Sequence, residues 1–328
     1  MSRSAVLSGL GVIGLLVAIV SLIARFTPIA NIAQLVVAIA TPYTPLVLLS
    51  SLTIAAIHRQ VLASVASTVV LALALAIQVP WYCLGLPESA GRHTQLRVLS
   101  SNVHDGDADA PFLVKLAAES ADVICVSELT PEELVRFRAA GIDENFPFSV
   151  LKPAPLAEGI GLWSRYPLSE FVWANSRTTG ASARMRIAGV RQDVVVASVH
   201  VISPIAFGPS SIGEWRRHID ATRAQLSLLA GSAGSAAVIV AGDFNSTVDM
   251  RQFRDLLTDG YRDAAEQTRA GFAPTFPSNR TWMPPVIEID HVLTRMAPAV
   301  SFRTVDVPGS DHRALLVSVA VPAESTVP

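Results

Sequence analysis

The stretch V-I-V-A-G-D-F-N-S-T, Val238 to Thr247, decides how this chain is read. Val238 to Ala241 are apolar and mostly β-branched, which predicts a buried strand. The run breaks at Gly242 and then displays an acid and an amide two positions apart, Asp243 and Asn245. Alternate residues leaving a strand point the same way, so the two side chains are expected to share one space. A polar residue at a strand end is more often a turn former than a site residue. The other strands have to decide between the two.

They end alike. Leu96–Ser101 is followed by Asn102, Val123–Ser127 by Glu128, and Val194–Val199 by His200. Asp290 stands near the start of Ile289–Thr294, and Asp311 and His312 stand just before Ala314–Val321. Six strands each delivering a carboxylate, amide or imidazole at one end predict one polar cleft. Ile160–Ser164 and Ser182–Ile187 are further strand candidates. Pro111–Ser120, Pro131–Ala140, Gly213–Leu229 and Arg251–Leu257 read as helices, and A-G-S-A-G-S-A-A around Gly231–Gly234 reads as a loop. Many strands with few helices predict an α+β layered sandwich, two sheets with helices outside.

The first third of the chain is different. Hydrophobic residues make up 51% of the 328 residues and mean hydropathy is +0.44, both high for a soluble protein. Ser4 to Ala24, Phe26 to Ile57 and Gln60 to Pro87 carry no charge. Each exceeds the ~18 apolar residues that suggest a membrane span. Residues 1–87 are therefore expected to form a membrane anchor of about three transmembrane helices, 88–95 a linker, 96–322 the catalytic domain and 323–328 a tail. T-P-Y-T-P, Thr41 to Pro45, should kink or interrupt the middle run. G-L-G-V-I-G, Gly9 to Gly14, matches a dinucleotide-binding pattern but lacks a preceding strand and reads as a chance match. With the amino terminus inside, Arg3 and Arg59 lie in the cytoplasm and Arg25 outside, which places the catalytic domain outside the cytoplasm. From Glu88 onward, 22 basic residues face 27 acidic ones, a net of −5 that disfavours nucleic acid as the substrate. Cys83 and Cys125 are too differently placed to predict a disulfide.

The pieces S-S-N-V, V-S-E-L, S-V-H, G-D-F-N-S, I-D-H-V-L and S-D-H-R-A-L-L-V occur in the order and approximate spacing of the endonuclease/exonuclease/phosphatase superfamily, and the stretch from Leu96 to Val321 resembles it. The resemblance implies a four-layer α/β/β/α sandwich of the DNase I-like kind, preceded by the three transmembrane helices, and Mg²⁺-dependent cleavage of a phosphate ester or anhydride, with Mn²⁺ as a substitute. It implies a metal held by Glu128, Asn102 and Asp311. Asp243 would orient or deprotonate the attacking water, and Asn245 would hydrogen-bond the phosphoryl group. His312 would bind phosphate or act as base with Asp290 fixing its tautomer, and His200 would stabilise charge or protonate the leaving group. Where related proteins carry Asn or Asp two residues after the first asparagine, this chain has His104, either a substrate contact or a loop residue. His58, His93, His218 and His291 carry no such signal.

V-I-S-P-I-A-F-G-P-S-S-I-G-E-W-R-R, Val201 to Arg217, reads as a long apolar loop beside the site. Phe207, Trp215, Arg216 and Arg217 are its expected contacts to an amphiphilic, anionic substrate. Three spans joined to such a domain resemble the VanJ-type teicoplanin-resistance proteins, which implies a polyprenyl diphosphate or another membrane lipid phosphate as substrate. A membrane-tethered nuclease of the same fold and a non-catalytic membrane protein remain the alternatives.

Overall fold

The computed structural model describes residues 3–85, 92–171, 179–206 and 208–324. Residues 88–91 of the expected linker, Phe207 and the end of the tail lie outside them. In the first third, α1 is Arg3–Phe26, α2 Ile32–Ile39, α3 Thr44–Ile57 and α4 Val61–Val79, which continues as a wider turn through Leu84. Two helices, not three, are long and apolar enough to cross a membrane, Val6–Phe26 and Val61–Leu84. The expected middle span is instead a pair, bent by 44° at the break between α2 and α3. Pro42 and Pro45 explain the break, because each removes a main-chain donor and crowds the preceding turn. α2 starts cleanly: the Asn31 side chain accepts from Gln34 N at 3.0 Å, and Gln34 Oε1 accepts from Ala30 N at 2.7 Å.

The remainder forms two six-stranded sheets. The strands are β1 His93–Asn102, β2 Val123–Ser127, β3 Phe148–Lys152, β4 Ile160–Ser164, β5 Leu168–Phe171, β6 Thr179–Met185, β7 Val194–His200, β8 Val238–Asp243, β9 Arg262–Asp263, β10 Asp290–Arg295, β11 Ala299–Asp306 and β12 Arg313–Pro322. One sheet runs β11-β12-β1-β2-β4-β3 and the other β5-β6-β7-β8-β10-β9. β1 begins at His93, inside the segment expected to be linker. After the first third, α5 is Ala110–Ser120, α6 Pro131–Ala139, α7 Ile142–Asn145 and α8 Ser211–Ala233.

Alternation along the strands builds the layers. On β7, Val194 and Val196 pack between the sheets, while Val195, Ala197 and Val199 face outward under α8. On β1, Leu96 and Val98 face the inner layer and Leu99 faces α5 and α6. Both faces of the central strands are thus covered, which is why they read as continuous apolar runs. The result is the expected α/β/β/α sandwich of two sheets with helices outside.

The helices of the first third do not stand apart from it. Ile29, Leu35 and Ala38 are buried in the outer layer with Trp215, Phe244 and Met250. Gln252 forms a two-way bond with the Ile29 main chain, Ile29 N to Oε1 at 3.2 Å and Nε2 to Ile29 O at 3.1 Å. Tyr43 donates to Val286 O at 2.7 Å, and Arg25 forms a buried ion pair with Asp249.

Candidate active site

Strand register assembles the site. His200 of β7 and Asp290 of β10 flank Asp243 of β8 as its direct neighbours across the second sheet. On the first sheet Asn102 pairs with Ser127, and Glu128 follows. His312 enters just before β12. Asn102 joins the sheets: its Nδ2 donates to Glu128 Oε1 at 2.9 Å and to Asp243 Oδ2 at 3.0 Å. Its Oδ1 accepts from His104 N at 2.9 Å, so the amide oxygen faces away from the carboxylates.

Asn245 reaches the cleft by a different route from the one expected. β8 ends at Asp243, and Asn245 has a left-handed φ of 45°. Its main-chain N–H donates to Asp243 Oδ1 at 2.7 Å and its Nδ2 to Asp243 Oδ2 at 3.1 Å and Val201 O at 2.8 Å. An aspartate-capped turn, not strand alternation, places it. Glu128, with φ 63°, and His104 and Asp105, each with φ 51°, are left-handed as well. Four strained non-glycine residues around one cleft are what a functional site looks like in backbone terms.

The imidazoles are oriented by their far nitrogens. His312 Nδ1 donates to Asp290 Oδ2 at 2.8 Å, which leaves Nε2 at 3.8 Å from Asp243 Oδ2 and 3.9 Å from Asp311 Oδ1. His200 Nδ1 donates to Ala157 O at 2.8 Å, and its Nε2 lies 3.6 Å from Glu128 Oε1 and 3.7 Å from Asp243 Oδ2. Burial alone would discharge His312, but Asp290 and Asp243 outweigh it and push it up to about 10. The carboxylates thus favour its charged, donating form. Burial raises Asp243 to about 6 against the pull of His312. Glu128 would also be raised by burial, but His200, the Asn102 amide and the Asp105 N–H hold it below the ordinary carboxylate range.

Two groups could hold a cation here, Glu128 with His200 and Asp243, and Asp243 with Asp290 and His312. The donors are hard oxygens plus imidazole, and Asp290 Oδ1 is buried without a hydrogen-bond partner. A divalent metal fits this set. Of the three expected metal ligands, Glu128 and Asn102 meet; Asn102 would have to turn its amide to offer oxygen. Asp311 lies on the His312 side, and His104 Nε2 approaches it at 3.7 Å.

These residues open on a cleft of about 1220 Å³. Two expected contacts are corrected. Trp215 is fully buried in the outer layer, where Nε1 donates to Ser246 Oγ at 3.1 Å, and Arg216 is exposed and does not line the cleft. The reason is that α8 begins at Ser211, so helical periodicity and not loop position decides which side chains face the site. That face presents Glu214, Arg217 and His218. Arg217 was among the expected contacts; Glu214 and His218 were missed, although their i, i+3, i+4 spacing with Arg217 was the available signal. His218 Nδ1 is buried without a hydrogen-bond partner.

A second buried group, Asp263, Glu288 and His291, lies behind the site. His291 donates from Nδ1 to Asp263 Oδ2 at 2.8 Å and from Nε2 to Ser246 O at 2.9 Å. Trp215 and His291 thus pin Ser246 from two sides and fix the turn that carries Asp243 and Asn245.

Two sheets whose strand ends converge on carboxylates, an amide and two oriented imidazoles define a metal-dependent phosphoester hydrolase. The sequence profile of the Endonuclease/Exonuclease/phosphatase family matches residues 82–312, and the chain belongs to that family. Solved structures agree on the fold. An endonuclease/exonuclease/phosphatase from Beutenbergia cavernae is 19% identical with a TM-score of 0.53, over 70% of this chain and 72% of that one. The 3′ phosphatase NExo from Neisseria, bound to product DNA hairpin, is 16% identical with a TM-score of 0.52, over 68% and 98%. Sphingomyelinase C from Streptomyces griseocarneus is 17% identical with a TM-score of 0.50, over 70% and 99%. No curated protein matches the chain.

Proposed function

We propose that the chain is a membrane-anchored, Mg²⁺-dependent phosphohydrolase acting on a lipid phosphate or diphosphate, a polyprenyl diphosphate-like carrier or a phospholipid headgroup. The observation that carries this reading is the seating of the hydrolase domain on the ends of apolar helices, with Ile29, Leu35 and Ala38 inside its outer layer. Neighbours of the same fold include a sphingomyelinase and a DNA phosphatase, so fold alone does not choose between lipid and nucleic acid. Docking against apolar helices and a net charge of −5 from Glu88 onward favour lipid. The three-run layout resembling the VanJ-type proteins points the same way.

Glu128 would hold the metal, joined by Asn102 once its amide turns and by Asp311 from the His312 side, and the metal would supply charge neutralisation at the phosphoryl oxygens. Asp243 orients the attacking water and takes its proton. His312, kept protonated by Asp290, donates to a phosphoryl oxygen, and Asn245 steadies the turn beside it. His200 serves the leaving oxygen. His104, on the rim beside Asp311, contacts the substrate. Counting the bent α2–α3 pair as a crossing between the two long apolar helices, the protein sits in the cell membrane with the catalytic domain outside the cytoplasm. Arg3 and Arg59 stay inside, while Arg25 is consumed by Asp249 and carries no weight as a topological signal.

Side-by-side assay of the full chain with prenyl diphosphates, phosphoinositides and DNA tests the substrate. Turnover should be greatest on lipid and vanish with EDTA. Faster cleavage of DNA would replace the reading with a tethered nuclease, and full activity after chelation would remove the metal. A phosphatase reporter fused after Val321 should be active, and an inactive one would reverse the topology.

A further inference from the structure

Leu35 and Ile39 of α2 line the same cleft as Glu128, Asp243 and His312. Its volume, about 1220 Å³, exceeds the roughly 300–1,000 Å³ usual for small-molecule pockets, so it has room for more than a phosphoryl group. The apolar residues are contiguous. Leu35 and Met250 are buried in one cluster, with Ile39 and Ile202 packed partly buried against it. Ile205, from the segment between β7 and α8, lies at the cleft and is 62% exposed. α2 is apolar on its other side too, with Ile32 and Val36 exposed. A helix apolar all round is at home only with protein on one side and hydrocarbon on the other. Polar groups line the same cleft, among them Arg217 and His218 on α8 and Lys152 at the end of β3.

We infer that α2 and the β7–α8 segment form the binding groove for the hydrocarbon stem of a bilayer lipid whose phosphate lies at Asp243 and His312, so that the anchor is a wall of the active site. This rests on the lipid-phosphate reading above. The groove offers an environment no more apolar than the bilayer the stem leaves. It therefore acts by position and shape, and bulk placed in it should hurt more than lost contact area.

The test uses the full chain in phosphatidylcholine vesicles, with a long-chain prenyl diphosphate and a short, water-soluble one carrying the same headgroup. Ile39→Trp should lower the long-to-short ratio of kcat/KM at least tenfold, whereas Ile57→Trp, at the far end of α3, should leave the ratio unaltered. In a Cys83→Ser background, a nitroxide on Ile205→Cys should collide with oxygen in preference to a water-soluble nickel chelate, a readout independent of turnover. An unchanged ratio in an enzyme that hydrolyses the long-chain lipid, or a nitroxide that faces water, overturns the groove and leaves the lipid reading standing. Absence of lipid turnover in the wild type overturns both.

Discussion

Asp243 is the residue on which both sheets converge. It receives the Asn102 amide from the first sheet and the Asn245 main chain from its own turn, and stands between His200 and His312. Its replacement by Ala should cost on the order of 10³-fold or more in kcat, as expected for loss of the group that handles the water. Asp290 is bonded to His312 at 2.8 Å and is proposed to act through it. Asp290→Ala, His312→Ala and the double mutant should therefore lose similar activity, and multiplying losses in steady-state kinetics would separate the two residues. The second buried group gives a pH prediction. His291 is raised to about 9: burial opposes its charge, but Asp263 and Glu288 outweigh burial. Its contribution to stability is complete below about 6.5 and is lost as pH rises through about 9. Glu288 is raised to about 8, chiefly by burial, so stability is likewise lost as pH rises through that value. Both act in one direction. The melting temperature of the detergent-solubilised chain should fall between pH 6.5 and 9, and Glu288→Gln should flatten the slope. A flat wild-type profile would refute this. Asp243, His200, Asp290, Glu128 and His312 were legible because strand ends announce them. His291 was not, since an imidazole inside a strand looks the same in sequence whether it packs or supports a catalytic turn.

Among the elements, β8 and β7 approach as a parallel pair with Gly242 opposite Val199. Gly242 has φ 152°, and a Cβ there would run into the Val199 carbonyl. Gly242→Ala should push β8 from β7, cost roughly 2–4 kcal/mol and misplace Asp243. Gly231, within α8 and surrounded by open space, is the matched control. Its change to Ala should instead stabilise by about 0.5–1 kcal/mol. Chemical denaturation of both variants checks the contrast. The same helix shows where sequence reading stopped. A-G-S-A-G-S-A-A has the composition of a loop, yet α8 continues to Ala233 because its apolar stripe, Trp215, Ile219, Leu226 and Leu229, is already packed on the sheet. Central strands were found because both faces are buried. β11, with a mixed burial pattern at a sheet edge, and the two-residue β9 carry too weak a pattern. The prolines that predicted a break in the middle apolar run were read correctly, but the helix they free, α2, turned out to belong to the cleft.

At the scale of the molecule, the helices of the first third and the hydrolase domain share a core. Arg25 is 5% exposed and Asp249 is fully buried, so each is the other's counter-charge in the dry interior. Arg25→Leu or Asp249→Leu should each destabilise by about 3–5 kcal/mol, because one buried charge is left uncompensated. The double change to Leu should recover most of that loss. Thermal melts of the three variants, read as a double-mutant cycle, decide it, and additive losses would mean that the pair is not coupled.

The main-chain bonds between Gln252 and Ile29 have a consequence for how the polypeptide can be divided. Cohesion between its two parts runs through these bonds, the Tyr43–Val286 bond and the shared apolar layer, none of which involves the connecting segment after Gly85. Covalent continuity is then dispensable. A cut anywhere between Gly85 and Arg92 should yield a nicked, two-chain protein and not a shed catalytic domain. The two fragments, produced separately in one cell, should find each other and co-purify as a split enzyme. Gln252→Ala combined with Tyr43→Phe should weaken that reassembly while leaving the uncut chain intact, since only the cut protein depends on affinity between its halves.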